Sequence, residues 1–213
     1  MTLLSIEIKN ILIKLKQNYN HTTTALNFRT PFQLLISTML AAQSTDVQVN
    51  IVTKKLFNNY HDAESILELS LNELEQKIKT VGLYKTKAKN IFAACRIIVD
   101  EYDGEIPKTR ELLMQLPGVG RKTANVVLSI AFDFEAIAVD THVFRVSNRI
   151  GLAKANNVQN TEKQLMKNIP RHEWSNAHHW LIWHGRKICK ARNPLCHNCF
   201  LNKYCIYHKN TII

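Results

Sequence analysis

The sequence predicts an all-α protein of about ten helices joined by short loops, and three observations support this fold class. Apolar residues recur at helical spacing through most of the chain, strand-like alternation is scarce, and residues that cap or end helices occur throughout. With 46% hydrophobic residues, the 213-residue chain can bury a core. No run approaches the ~20 uninterrupted apolar residues of a membrane span. We therefore expect a helical protein that makes no membrane contact and resides in a reducing cytoplasm.

The first helix is predicted from MTLLSIEIKNILIKLKQ, in which charged residues interrupt an apolar segment. A signal peptide has a continuous apolar run and a cleavage site of small residues instead. We therefore expect an amphipathic helix with one apolar face. That face consists of Leu4, Ile8, Ile11, Leu12 and Leu15.

A buried central helix is predicted from PFQLLISTMLAAQ, which is apolar on nearly every side. Thr30 and Pro31 fit the N-cap and the first helical residue of this segment. Further helices are predicted after the capping boxes Thr45–Gln48 and Ser70–Glu73, over residues 85–102 and over residues 108–115.

The stretch LPGVGRK, residues 116–122, places two cations directly after a proline and two glycines. Glycine lets a backbone approach a ligand closely, and the N-terminus of the following helix offers N–H groups and partial positive charge. The chain also carries 28 Lys and Arg against 17 Asp and Glu, a net charge of +11. These features favour phosphate binding at the turn. The alternative is a plain corner between two helices, where glycine only permits tight packing.

Lys122 is expected in the first turn of the helix that follows. The positive end of the helix dipole lowers the pKa of an ammonium there, and a neutral amine can form a Schiff base with an electrophilic carbon. The alternative is an ordinary solvated lysine. The spacing predicts an inward face of Ala124, Val127, Leu128 and Ala131, and a polar stripe of Lys122, Asn125 and Ser129 on another side.

Asp140, in AIAVDTHVFRVSNRIG, fits the N-cap of a helix that Gly151 ends. As a cap alone it is worth ~1 kcal/mol. As a functional group it is a fixed negative charge or a general base. A carboxylate close to Lys122 would raise the pKa of the lysine, which opposes the dipole effect.

Four cysteines crowd the end of the chain with the spacing C-x6-C-x2-C-x5-C. An all-sulfur ligand set suits either zinc or an iron–sulfur cluster. Cys95, amid apolar residues of a predicted helix, is expected to be a buried thiol. The predicted metal ligands are Cys189, Cys196, Cys199 and Cys205.

Together these motifs resemble the endonuclease III family of DNA base-excision glycosylases. LPGVGRKTANVV is similar to the family's helix-hairpin-helix, and AVDTHVFRVSNR to the segment with its catalytic aspartate. The cysteine spacing resembles that of its 4Fe-4S loop. AAQSTD at 41–46 and VGLYKTKA at 81–88 also resemble family segments, so the resemblance covers nearly the whole chain.

The resemblance implies a two-domain helix-hairpin-helix DNA glycosylase fold with a lesion pocket between the domains. A six-helix domain, residues 22–132, would end in the hairpin and its second helix. Residues 1–21 plus 133–213 would form the iron–sulfur cluster domain.

The resemblance also assigns roles to residues. Lys122 matches the nucleophile, Asp140 the essential carboxylate, and the four cysteines the ligands of a 4Fe-4S cluster. Gln43 and Leu83 match residues that enter the duplex when a nucleotide is extruded. The expected DNA contacts are Gln43, Leu83, Leu116, Gly118, Gly120, Arg121, His142 and Arg145.

We therefore expect a bifunctional DNA N-glycosylase and AP lyase of base excision repair. It would remove oxidised pyrimidines from double-stranded DNA, cleave the strand 3′ to the abasic site by β-elimination, and act as a monomer in a bacterial-type, nucleoid-associated cytoplasm. Two alternatives stay open at this point. One is a non-catalytic helix-hairpin-helix module that only binds DNA, and the other is an adenine-mismatch glycosylase of the same fold. Zinc is the alternative to the cluster.

Overall fold

The computed structural model describes residues 3–211, and these residues form helices and loops without a β-strand. The predicted all-α class is confirmed. The helices are α1 (Ser5–Tyr19), α2 (Pro31–Ala41), α3 (Asp46–Leu56), α4 (Ala63–Leu67), α5 (Leu71–Ile78), α6 (Tyr84–Tyr102), α7 (Arg110–Leu113), α8 (Arg121–Ala131), α9 (Thr141–Ile150), α10 (Val158–Asn168), α11 (Trp174–Lys187) and α12 (Ile206–Thr211), with 3₁₀ turns at Arg171–Glu173 and Cys196–Asn198. No helix within residues 3–211 has the length and apolar character to cross a membrane.

The chain divides into two compact units. We call Thr24–Phe134 the hairpin unit, and Met1–Thr23 with Glu135–Ile213 the cysteine unit. Each unit has its own apolar core. The core of the hairpin unit is built from α2, α3, α4, α5, α6 and α8, and that of the cysteine unit from α1, α9, α10 and α11.

The central helix of the hairpin unit is α2, as its composition predicts. Every residue from Phe32 to Leu40 is buried, and α2 packs against α3, α6 and α8. The Thr30 side chain accepts a hydrogen bond of 3.2 Å from the Gln33 amide, and Pro31 is the first helical residue. A fully buried leucine or isoleucine contributes ~1.5–3 kcal/mol, so this helix is a major part of the unit's stability.

The two predicted capping boxes have different outcomes. At α5, the Ser70 amide donates to the Glu73 carboxylate (2.8 Å) and the Glu73 amide donates to Ser70 Oγ (3.2 Å), so the box is complete. At α3, Thr45 Oγ1 accepts from the Gln48 amide at 3.2 Å, but Gln48 Nε2 donates to Thr80 Oγ1 at 2.7 Å. Gln48 therefore ties the start of α3 to the segment that follows α5.

In the cysteine unit, α1 is amphipathic as predicted, with one exception. Ile11 and Leu15 are fully buried, and α1 packs against α11. The prediction is wrong for Leu4, which is 66% exposed because it is the N-cap residue and precedes the helix. Leu3 takes the buried position instead.

Candidate functional site

The turn between α7 and α8 is a tight β-turn that needs glycine. The Val119 amide donates to the Leu116 carbonyl at 3.0 Å, with Pro117 and Gly118 as the central residues. Gly118 has φ +79°, and a Cβ on it would lie 2.8 Å from the Asn90 side-chain amide. Proline followed by a residue at positive φ is the pattern of a type II turn. Because Leu116 and Val119 are buried, the turn is anchored to the core of the hairpin unit.

Beyond the turn, the backbone at the start of α8 is open to approach. Gly120 is the exposed N-cap residue, and a Cβ built on it would meet no atom within 4 Å. Arg121 and Lys122 are the first two residues of α8, and Lys122 is exposed. A helix N-terminus without a bulky N-cap, followed at once by two cations, is chemically suited to a phosphate group.

The inner face of α8 is more polar than the sequence pattern predicts. Ala124 and Val127 are fully buried as expected. The prediction of an outward polar stripe is wrong for Asn125 and Ser129, because both are buried in the hairpin unit. Asn125 Oδ1 accepts from the guanidinium of Arg110 at 2.8 Å, which ties α8 to α7 across the hairpin. Of the predicted stripe, only Lys122 is exposed.

Asp140 is the N-cap of α9, as predicted, and it lies at the end of a buried extended segment, residues 136–139. Its Oδ1 accepts from the Val143 amide at 2.8 Å. His178 Nδ1 lies 2.8 Å from the Ala138 carbonyl, and because a carbonyl can only accept, this nitrogen carries the proton. The backbone just before Asp140 is thus fixed from α11, and the carboxylate is half-buried in a rigid frame.

Two predicted DNA contacts on α9, His142 and Arg145, are half-buried in the cysteine unit. The Arg145 guanidinium donates to the Gly185 and Cys189 carbonyls, both at 3.1 Å, and Nη2 also lies 3.2 Å from His142 Nδ1. Arg145 therefore holds the backbone at Cys189, a contact that sequence reasoning missed. Its role toward DNA stays a prediction.

The structure brings Gln43 and Leu83 onto neighbouring loops of the hairpin unit. Both are exposed, and both have positive φ, 55° and 57°. The Gly82 amide donates to Ser44 Oγ at 3.2 Å, and a Cβ on Gly82 would lie 3.1 Å from the Gln43 carbonyl oxygen. Gly82 thus contacts residues 38 and 39 positions earlier in the sequence, next to these two side chains.

All four C-terminal cysteines line one cavity. We call Cys189–Cys205 the cysteine loop. None of the five cysteines forms a disulfide, and Cys95 is buried in α6 as predicted. The four thiols line the cavity. Within residues 3–211, however, no three His, Cys, Asp or Glu side chains lie close enough together to hold one metal ion. A set of four soft sulfur ligands around a cavity fits an iron–sulfur cluster.

Polar side chains contact two of these thiols, and burial raises the pKa of two. Arg149 Nη1 lies 3.6 Å from Cys189 Sγ, and His184 Nε2 lies 3.5 Å from Cys199 Sγ. Burial raises the pKa of the Cys199 thiol to about 11 and also raises the pKa of Cys205. A bound cluster supplies iron charge that stabilises the thiolates and cross-links the loop.

Comparison with known proteins defines the class of the chain. Residues 36–171 match the family described as HhH-GPD superfamily base excision DNA repair protein, and residues 189–205 match the iron-sulfur binding domain of endonuclease III. The second match begins at the first and ends at the last of the four clustered cysteines. The fold and the site thus define a base excision DNA repair protein with an iron–sulfur centre.

Individual relatives narrow this class. Endonuclease III of Escherichia coli (strain K12) is 48% identical over 203 residues, which cover 95% of this chain and 96% of that protein. A solved non-covalent endonuclease III–DNA complex has a TM-score of 0.94 at 46% identity and 99% coverage of both chains. A trapped endonuclease III–DNA covalent intermediate has a TM-score of 0.95 at 46% identity and full coverage of both chains. The chain belongs to the endonuclease III family.

The predicted family, fold, enzyme class and cofactor are confirmed by these matches. The chain is a DNA glycosylase and AP lyase of base excision repair, and its four clustered cysteines suit the family's 4Fe-4S cluster. The matches favour this enzyme over a DNA-binding module without catalysis, over an adenine-mismatch glycosylase and over a zinc site.

Proposed function

We propose that this enzyme excises oxidised pyrimidines from double-stranded DNA, with Lys122 as the nucleophile and Asp140 as the essential carboxylate. The observation that carries this proposal is the position of Lys122. It is exposed in the first turn of α8, directly after a glycine turn whose backbone is open to a phosphate. An amine held beside a bound DNA backbone is close to the deoxyribose on which an AP lyase acts.

In the proposed reaction, the target nucleotide leaves the stack because C1′ is unreachable inside the duplex. The neutral Lys122 amine attacks C1′ as the N-glycosidic bond breaks, and the base departs with a proton. Asp140 stabilises the positive charge that develops on the sugar and takes part in proton transfer. The sugar ring then opens: the C1′–O4′ bond breaks, O4′ takes up a proton and the lysine nitrogen loses one, which gives an imine that acidifies the C2′ proton. Loss of this proton breaks the C3′–O bond, so the strand is cut 3′ to the lesion, and water then hydrolyses the imine to free Lys122.

Binding to DNA would draw on the remaining predicted contacts. Gly118, Gly120 and Arg121 would hold the phosphate backbone, while buried Leu116 fixes the turn that presents them. Gln43 and Leu83 would fill the space left by the extruded nucleotide. The net charge of +11 would add affinity that falls with salt concentration.

We also propose that the domains of the family correspond to residues 22–132 and to residues 1–21 with 133–213. The compact hairpin and cysteine units support this division. We further propose that the protein is a monomer and acts in the cytoplasm. Sedimentation of the purified protein with and without duplex DNA tests the oligomeric state.

Borohydride trapping tests the nucleophile. Borohydride reduces a Schiff base to a stable amine, so the enzyme with duplex DNA carrying an oxidised pyrimidine should give a covalent complex. Lys122→Gln should abolish the complex and leave DNA affinity within about threefold, because only one of many cationic contacts is lost. Asp140→Asn should reduce excision ~100-fold or more with a small loss of affinity.

Lys55→Gln is the matched control, since Lys55 is an exposed lysine on α3 of the same unit. This variant should trap DNA as the wild type does. A covalent complex that survives in Lys122→Gln would refute the assignment of the nucleophile, and unchanged turnover of Asp140→Asn would reduce Asp140 to a helix cap.

A further inference from the structure

A buried lysine lies beneath the two loops that carry Gln43 and Leu83. Lys87, on α6, is only 7% exposed. Its Nζ donates to the Leu40 carbonyl at 2.7 Å and to Ser44 Oγ at 3.0 Å. Both acceptors are neutral, and burial lowers the pKa of Lys87 below its ordinary value. A buried ammonium whose partners are all neutral costs stability.

The contacts of Lys87 join three segments of the hairpin unit. Leu40 lies in the last turn of α2, where the carbonyls have no helical partner and the helix dipole is negative, so an ammonium is favourable there. Ser44 lies on the loop between α2 and α3, and its Oγ also accepts from the Gly82 amide at 3.2 Å. One ammonium and one hydroxyl thus connect α6, the Gln43 loop and the Leu83 loop.

The backbone at both loops is strained. Gln43 has φ 55° and Leu83 has φ 57°, the left-handed region that costs a residue with a side chain ~1 kcal/mol or more. Such a conformation persists only where its surroundings impose it. Each strained residue is next in the chain to a residue that Lys87 holds directly or through Ser44. Gln43 precedes Ser44, and Leu83 follows Gly82.

We propose that Lys87 is a positioning residue, which locks the Gln43 and Leu83 loops together so that both side chains enter the duplex as one rigid wedge. This inference rests on the proposed insertion of Gln43 and Leu83 into DNA. Two side chains that must fill one gap in a base stack gain from a fixed spacing, because the entropy of ordering each loop is then lost on folding and not on DNA binding. The expected consequence is confined to steps that need a base to be unpaired.

The experiment compares two DNA substrates under single-turnover conditions. One carries an oxidised pyrimidine in a paired duplex, and the other carries a preformed abasic site, which has no base to unpair. Lys87→Met keeps the aliphatic stem but removes the ammonium. We expect ~tenfold slower excision of the paired lesion and less than ~threefold slower cleavage of the abasic site. The fluorescence of 2-aminopurine beside the lesion, which reports unstacking, should rise less in the variant.

Two further variants keep the test independent of global folding. Ser44→Ala removes the shared hydroxyl from a half-buried position and should change the two substrates in the same ratio, to a smaller extent. Lys55→Met, at an exposed site on α3, is the matched control and should leave both rates unchanged. If thermal unfolding shows that Lys87→Met is not folded, the two substrates are compared with Ser44→Ala instead.

Leu83→Ala and Gln43→Ala separate failure of this inference from failure of the wedge itself. If these variants slow paired excision selectively but Lys87→Met and Ser44→Ala do not, the inference is overturned and the wedge stands. If Lys87→Met slows both substrates equally, Lys87 is merely structural. If neither loop variant is selective, the insertion of Gln43 and Leu83 is refuted together with the inference. Combining Lys87→Met with Leu83→Ala should give less than the product of the two effects.

Discussion

The hairpin turn and the cysteine loop are both irregular segments that carry chemistry, yet they are held in place in different ways. Residues 116–122 are fixed locally, by a proline, a glycine at positive φ and two buried side chains within the turn. Residues 189–205 contain one short 3₁₀ turn and depend on groups about 40 positions away, Arg145 and Arg149 on α9. The first segment is specified by its own residues, and the second by local turns together with long-range hydrogen bonds and its ligand.

The largest effect should come from removing one ligand of the cysteine loop. Cys199→Ala leaves three thiols around the cavity, and we expect loss of the cluster absorption near ~400 nm and rapid proteolysis within residues 189–205. The physical reason is that buried neutral thiols do not cross-link the loop without iron. Absorption spectra and limited proteolysis measure both changes.

Cys95→Ala is the control, because Cys95 is a fully buried thiol of the hairpin unit outside the loop. It should keep the absorption and lose only some stability through a small cavity. A brown, protease-resistant Cys199→Ala protein would contradict the dependence of this loop on its ligand.

The next effect distinguishes the two glycines of the hairpin turn. Gly118→Ala places a Cβ at φ +79° and 2.8 Å from Asn90, so we expect a loss of about 2–3 kcal/mol in the free energy of unfolding. Gly120→Ala has an ordinary φ of −91° and open space around the Cβ, so its stability should fall by no more than ~1 kcal/mol, the cost of alanine at an N-cap. Its DNA affinity should fall, because a methyl group then occupies the place of the approaching phosphate. Thermal unfolding and DNA titration check the pair.

Equal destabilisation by both alanines would show that the turn needs glycine only for packing. Unchanged DNA affinity in Gly120→Ala would show that no phosphate binds at this turn. The proposal that Lys122 lies at the DNA backbone would then lose its main support.

The same contrast explains how far the sequence predicts the structure. The glycine turn at residues 116–122, the cap at Asp140 and the buried helix α2 follow from residues close in sequence, and these predictions are confirmed. The partners of Arg145 and Arg149 could not be predicted, because nothing near either arginine marks a carbonyl about 40 residues away as its acceptor. Leu4 fits the periodicity, but a helix that begins one residue later leaves it exposed.

The burial of Lys87 follows a pattern that is visible in the sequence. It lies on the buried face of α6, with Ile91, Ala94, Cys95 and Ile98, at the spacing i, i+4, i+7, i+8 and i+11. Lys85 and Lys89, two positions away on either side, are exposed. A lysine in step with an apolar face is therefore a sign of a buried ammonium, and its acceptors are to be sought among the carbonyls of helix ends.

The smallest effect concerns acid, which should loosen the cysteine unit before the hairpin unit. Burial, with a smaller contribution from His178, lowers the pKa of His179 to about 3 from 6.5. Between these pH values the unfolded chain binds a proton that the folded chain does not, so stability falls as pH falls below 6.5. From pH 7 to pH 5 the loss should be about 2 kcal/mol. The single histidine of the hairpin unit, His61, is exposed. Protection against amide hydrogen exchange, corrected for the slower intrinsic exchange in acid, should therefore fall in α11 but not in α2, and His179→Leu should reduce that difference. An equal fall of protection in both helices would show that the two units respond to acid as one.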